Sequence, residues 1–151
     1  MTEFRRLSVA RGSELKAATV AYHPAVVGCH VDLQLDDGRT LMADGGDYFE
    51  CLVAVRHRLE REGALLLCQG ARRNVWPSGM ARSMGAGLKA YVLVNGRPPT
   101  TDDLVEIFDP AERDDVGTVA EQERARDEWF ASRDVRVPND PPPEPTTGGV
   151  A

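Results

Sequence analysis

The stretch from Tyr48 to Glu62 constrains the fold more than any other part of this chain. Tyr48, Phe49, Leu52, Val55 and Leu59 recur at helical spacing and form one apolar stripe. Charge sends Glu50, Arg56, Arg58 and Glu60-Arg61 to the opposite face. Asp44-Gly45-Gly46-Asp47 supplies a turn that can cap the helix, and Gly63 suits the C′ position that ends one. A helix with a single apolar stripe needs a surface to cover, and the flanking sequence offers strands. Ala17–Tyr22 and Val31–Leu35 carry β-branched or alternating apolar residues, separated by His23-Pro24 and Gly28. Asp36-Asp37-Gly38 joins Val31–Leu35 to Arg39–Ala43 as a hairpin, because Asp-Gly tolerates positive φ.

Beyond the helix, Ala64–Cys68 is an apolar run suited to a buried central strand. Residues 69–87 show no clear period and read as a connector. Lys89–Val94 reads as a strand closed by Asn95-Gly96, paired with Leu104–Phe108, which Pro110 stops. Thr118-Val119-Ala120-Glu121 fits a capping box for a helix to about Ser132, burying Val119, Ala125, Trp129 and Phe130. The expected architecture is α+β: a single domain over 1–133, a mostly antiparallel sheet, one central amphipathic helix and a C-terminal helix. From Asp134 the chain holds Pro138, Pro141, Pro142, Pro143, Pro145 and Gly148-Gly149, so 134–151 reads as a disordered, proline-rich tail.

Charge bears on partners. The 151 residues carry a formal net charge of −6, which argues against nucleic acid or an anionic membrane binding over the whole surface. No run approaches the roughly 18 apolar residues of a membrane span, and the N-terminus lacks the apolar core of a signal peptide. Cys29, Cys51 and Cys68 are odd in number and lack short paired spacing, which suits a reduced, cytoplasmic protein. The largest asymmetry lies in 63–101, which holds Arg72, Arg73, Arg82, Lys89 and Arg97 and not one acid. The remainder then carries 13 basic against 24 acidic residues, or −11.

That segment contains the candidate ligand-binding residues Arg72, Arg73, Trp76, Ser78, Arg82 and Lys89. Arginines grip phosphate or carboxylate by a bidentate fork, serines add hydrogen bonds, and Trp76 can stack on a planar ring. The spacing matches no phosphate loop: Gly85-Ala86-Gly87 precedes a strand, and no Gly-Lys-Ser/Thr triplet is present. A structural reading competes, with the arginines facing acids such as those of the C-terminal helix. Catalysis has no positive signal. Ser78 lacks the full Gly-x-Ser-x-Gly context, Asp44 and Asp47 already serve as turn and cap residues, and no cofactor is implied. Nor is a metal implied, since Cys29 and His30 point to opposite faces of a strand and Cys51 and His57 diverge around a helix.

Phe49-Glu50-Cys51-Leu52 through Leu59-Glu60-Arg61-Glu62-Gly63, with Gly70-Ala71-Arg72, Pro77-Ser78-Gly79-Met80, Met84-Gly85-x-Gly87 and Ala90-Tyr91, resembles a segment of small uncharacterised bacterial proteins. The resemblance covers about residues 47–109 and implies no established activity, cofactor or site. Small acidic proteins of this kind serve as immunity or accessory partners of bacterial effectors, so by analogy the expected function is a non-catalytic protein-binding module. The alternative is a binding protein or enzyme that takes an anionic, nucleotide-like small molecule through the Arg/Gly-rich 70–89 loop. Direct nucleic-acid binding is a weaker third.

Overall fold

A computed structural model describes residues 1–133; the proline-rich stretch 134–151 lies outside the described residues. Four strands run as an antiparallel meander: β1 (Glu3–Arg11), β2 (Glu14–Pro24), β3 (Cys29–Leu35) and β4 (Thr40–Gly45). Helix α1 (Tyr48–Arg61) follows, and β5 (Ala64–Leu67) returns to pair with β1, giving the order β4-β3-β2-β1-β5. A second, three-stranded antiparallel sheet holds β6 (Val75–Trp76), β7 (Lys89–Val92) and β8 (Leu104–Glu106), with β7 in the middle. Helix α2 (Gly79–Gly85) lies between β6 and β7, and α3 (Val119–Arg133) closes the described chain. The architecture is α+β in one compact domain. Among the described residues no helix is long and apolar enough to cross a membrane.

The stripe on α1 is buried as its spacing requires. Tyr48, Phe49, Leu52, Val55 and Leu59 meet Val20, Val31, Leu33 and Leu41 of the large sheet in one core. Asp47 caps the helix, its Oδ1 accepting from Glu50 N at 2.8 Å. Gly63, at φ 74°, follows the C-terminus in the left-handed region. Gly28 is needed for a second reason: besides its φ of 77°, a Cβ there would stand 2.2 Å from Gly45 O.

Four expectations need correction. Residues 3–11 form a strand the sequence did not announce; only Leu7, Val9 and Ala10 are buried, so the Arg5-Arg6 half gives no alternation. Strand β5 lies at the edge of its sheet rather than the centre. It is buried because 107–111 cover it, with Ala111 N donating to Leu67 O at 3.2 Å and Gln69 N to Asp109 O at 2.8 Å. The supposed connector 69–87 contains β6 and α2.

The fourth correction concerns Arg56, which is 1% exposed rather than on the solvent face. Its Nη1 donates to Gln122 Oε1 at 2.6 Å and its Nη2 to Gly117 O at 3.0 Å. Gln122 is itself fully buried, and its amide donates to the carbonyls of Gly70, Arg72 and Val75 at 2.8, 2.9 and 3.0 Å. This network fastens α1 to α3 and to the chain entering β6, satisfying carbonyls of that chain from Gly70 to Val75. Val119 and Trp129 on α3 are buried as expected, whereas Ala125 and Phe130 are half-buried.

Candidate functional site

The small sheet presents one face to the core and leaves the other uncovered in part. Val75 and Ala90 point inward and are buried. The neighbouring register row is Trp76 opposite Tyr91 and Tyr91 opposite Leu104, which puts three large side chains side by side on the outer face, all half-buried. The chain then builds walls around that row. Trp129 of α3 donates its indole N–H to Val94 O at 2.9 Å and to Arg97 O at 3.2 Å, which holds the end of α3 against the turn after β7. Phe130 stands edge-on to Trp129 with ring centroids 5.0 Å apart. Between Trp76, Tyr91 and Leu93 on one side and Trp129, Phe130 and Arg133 on the other lies a cleft of about 400 Å³.

A second groove, of about 420 Å³, adjoins the cleft and shares Ser78 and Tyr91 with it. Its far wall is α2, where Met80 and Met84, one turn apart, are 70% and 81% exposed. The result is a continuous surface of aromatic rings, thioethers and aliphatic side chains. The charged groups on the rim of the cleft are Arg82 and Arg133, and Arg126 lies 4.5 Å over the Trp76 ring. No acid lines the cleft among the described residues.

The structure divides the sequence-predicted residues. Trp76, Ser78 and Arg82 come together in the cleft, and Lys89 lines the adjoining groove. Arg72 and Arg73 do not join them. Arg72 Nη1 donates to Gln69 Oε1 at 2.8 Å, while its Nε is buried without a partner among the described residues. Arg73 Nη1 donates to Asp114 O at 2.7 Å, and its Nε lies 3.8 Å from Glu121 of α3. Even the cleft residues carry structural duties. Ser78 caps α2 by accepting from Ala81 N at 3.0 Å. Arg82 donates to Asp47 Oδ2 at 2.9 Å, reaching the N-cap of α1.

The Met-Gly-x-Gly piece has a related task. Ala86 O accepts from Tyr48 N at 2.8 Å, capping an orphan amide of α1. Gly87 lies at φ 74°, and a Cβ there would stand 3.0 Å from Asp47 Oδ1, so a side chain would be strained at this position. The acid-free segment is therefore balanced from outside itself: Asp47 meets Arg82, Glu121 meets Arg73 and Asp103 meets Arg97 at 2.9 Å.

Sequence reasoning missed Tyr91, Phe130, Arg133 and the Met80/Met84 pair as site residues, and placed Trp129 in the helix core alone. One signal was available. The last helix has a thin apolar face yet ends on two adjacent aromatics, which cannot both point into one core.

The three cysteines lie away from this site. All three cysteines are buried; burial pushes Cys51 up to about 12 and Cys68 up to about 11, and raises Cys29 as well, so each stays a thiol. His30 is held between Asp44 and Asp32 at 2.6 and 2.7 Å on the large sheet, and His23 stacks 5.0 Å from it. Among the described residues no three His, Cys, Asp or Glu side chains gather as a metal centre requires. No protein-family model matches the chain, and no curated protein matches it in sequence.

Proposed function

We propose that this chain is a non-catalytic protein-binding module, of the kind an immunity or accessory factor requires, and that the surface from Trp129 across Tyr91 to Met84 is its interface. The observation that carries this reading is the half-buried row Trp76–Tyr91–Leu104 beside the exposed Met80 and Met84. Aromatic residues, Met and Arg are the types enriched at the buried centres of interfaces, and an exposed contiguous apolar surface is otherwise a liability to a soluble fold. Methionines add adaptability to a partner's shape. The −11 charge outside 63–101 attracts a basic partner to the molecule at long range, so association weakens with salt, while contact at the cleft itself is aromatic and apolar.

The test is capture of a partner from native lysate at low salt by the wild-type chain, by Tyr91→Ala and Met84→Asp, and by Arg73→Ala. Capture by wild type and Arg73→Ala, lost in the other two, supports the interface. Capture that survives both interface substitutions refutes it.

A second reading draws on the gathering of Trp76, Ser78 and Arg82 in one cleft. A planar, anionic small molecule would stack on Trp76 and take its charge to Arg82. It requires a ligand-induced rise in melting temperature that Arg82→Ala abolishes, and a panel of nucleotides and organic acids without such a rise removes it.

A further inference from the structure

We propose that the aromatic cleft is the docking seat of the chain's own proline-rich segment, Pro138 to Pro145, which makes the interface self-covering. This rests on the reading of that surface as a protein-binding site and names what regulates it.

Position comes first. The described chain ends at Arg133, and Arg133 lines the cleft together with Trp129 and Phe130 of the same helix. The segment therefore starts at the rim of the cavity. Pro141 is eight residues on from Arg133, a reach of up to about 25 Å at roughly 3.1 Å per residue in an extended proline-rich chain. Such a tether holds a tail at an effective concentration of order millimolar, so weak contacts suffice for occupancy.

The chemistry of the two surfaces matches. A polyproline strand makes no internal hydrogen bonds, carries rings on its faces and offers unpaired carbonyls. The receptors that hold one combine aromatic walls with donors directed at those carbonyls. Trp76, Tyr91, Trp129 and Phe130 provide the walls. Trp129 spends its N–H on Val94 O and Arg97 O, but among the described residues the Trp76 Nε1 and Tyr91 hydroxyl hydrogen-bond to nothing. Both residues line the cleft and are half-buried.

Charge agrees with this match. Residues 134–151 carry Asp134, Asp140 and Glu144 against Arg136, while the charged rim of the cleft is Arg133 together with Arg82, which Asp47 partly neutralises. Pro141-Pro142-Pro143 with an acid on each side is the stretch that fits an aromatic floor between basic edges.

The chain contains its own reporter, because its two tryptophans, Trp76 and Trp129, both line the cleft. Acrylamide quenching of tryptophan fluorescence should be compared between the full-length wild type and full-length Pro141→Ser/Pro142→Ser/Pro143→Ser. Each is measured alone and with a synthetic peptide of residues 134–151. The substitutions lie outside the core, and an unchanged circular dichroism spectrum and melting temperature show that the fold is intact.

The expected result is stronger quenching in the variant, restored to the wild-type value by the peptide. The peptide should bind the wild type more weakly than the variant, by about tenfold, because the tethered segment competes. Equal quenching in the two proteins overturns the proposal. So does equal affinity for the peptide, failure of the peptide to restore shielding, or shielding that depends on protein concentration, which would assign the occupant to a second copy.

The outcome separates from that of the parent reading. If tail docking fails while Tyr91→Ala still loses the partner, the interface stands and only its occupant is wrong. If the tail docks and partner capture survives Tyr91→Ala, the cleft is an internal seat and the interface lies elsewhere.

Discussion

Replacing Arg56 with Met tests the buried network at its centre. Met keeps an unbranched stem of similar reach but removes the guanidinium, which donates to Gln122 Oε1 at 2.6 Å and Gly117 O at 3.0 Å. Arg56 is 1% exposed and Gln122 is 0% exposed, so water does not replace either bond without opening the packing. Each orphaned acceptor costs about 1–3 kcal/mol. Removing a buried cation also recovers part of its desolvation cost, which sets the expected net loss at about 2–4 kcal/mol. In a domain of this size each kcal/mol moves the midpoint by roughly 3 °C, so the melting temperature should fall by about 6–12 °C.

Thermal and urea denaturation followed by circular dichroism measure this loss, with Gln122→Leu and the double variant completing a cycle. The two sites should couple by about 1–3 kcal/mol, because each substitution removes a partner of the other. An exposed arginine predicts a change within about 0.5 kcal/mol. A result in that range for Arg56→Met would refute the network as a determinant of stability.

Two further perturbations follow from the large sheet and the core. Hydrogen bonds that the His30 ring donates to Asp44 and then to Asp32 raise its pKa above its usual value, with the His23 ring stacked alongside. Its contribution to stability is therefore fully present below about pH 6.5 and is lost as pH rises through the raised folded value. Urea midpoints at pH 6.0 and 8.5 should show a decline in the wild type that His30→Gln reduces, and identical pH dependence in the two proteins would refute the assignment. Gly70→Ala should cost about 1–3 kcal/mol through overpacking, since its Cβ would lie 2.6 Å from Leu52 Cδ2 and 2.8 Å from Ile107 Cβ; an unchanged urea midpoint would show that the packing there yields freely.

Much of the local structure is written in short-range pattern. The apolar spacing of Tyr48 to Leu59 gave the central helix, Asp47 its cap and Gly63 its end, because capping and amphipathicity depend on residues within a turn or two. The turn Asp36-Asp37-Gly38 likewise joins β3 to β4, with Gly38 at φ 92° and Leu35 N donating to Arg39 O at 2.8 Å. Arg56 shows where a reading by charge went astray. It follows Leu52 by four residues and Phe49 by seven, which places it on the buried side by the same periodicity that placed the leucines. Charge alone sent it outward, and Gln122 and Gly117, far along the chain, explain why it stays in.

The candidate site divides in the same way. Composition marked 63–101 as unusual, and Trp76, Ser78 and Arg82 from that stretch do share a cleft. Sequence alone could not show that Asp47, Asp103 and Glu121 neutralise its arginines, because ion pairs across a fold leave no periodic trace. The cleft itself exists only through tertiary structure. The register of β6, β7 and β8 sets Trp76, Tyr91 and Leu104 in one row, and two hydrogen bonds from Trp129 bring the end of α3 beside it. The sequence by itself determined the two long helices, most of the strands and the α+β class, since those follow from contacts within a few residues, whereas α2 escaped it. Strand order, the burial of Arg56 and the aromatic cleft were decided by long-range pairing, in which the free energy depends on which distant groups meet.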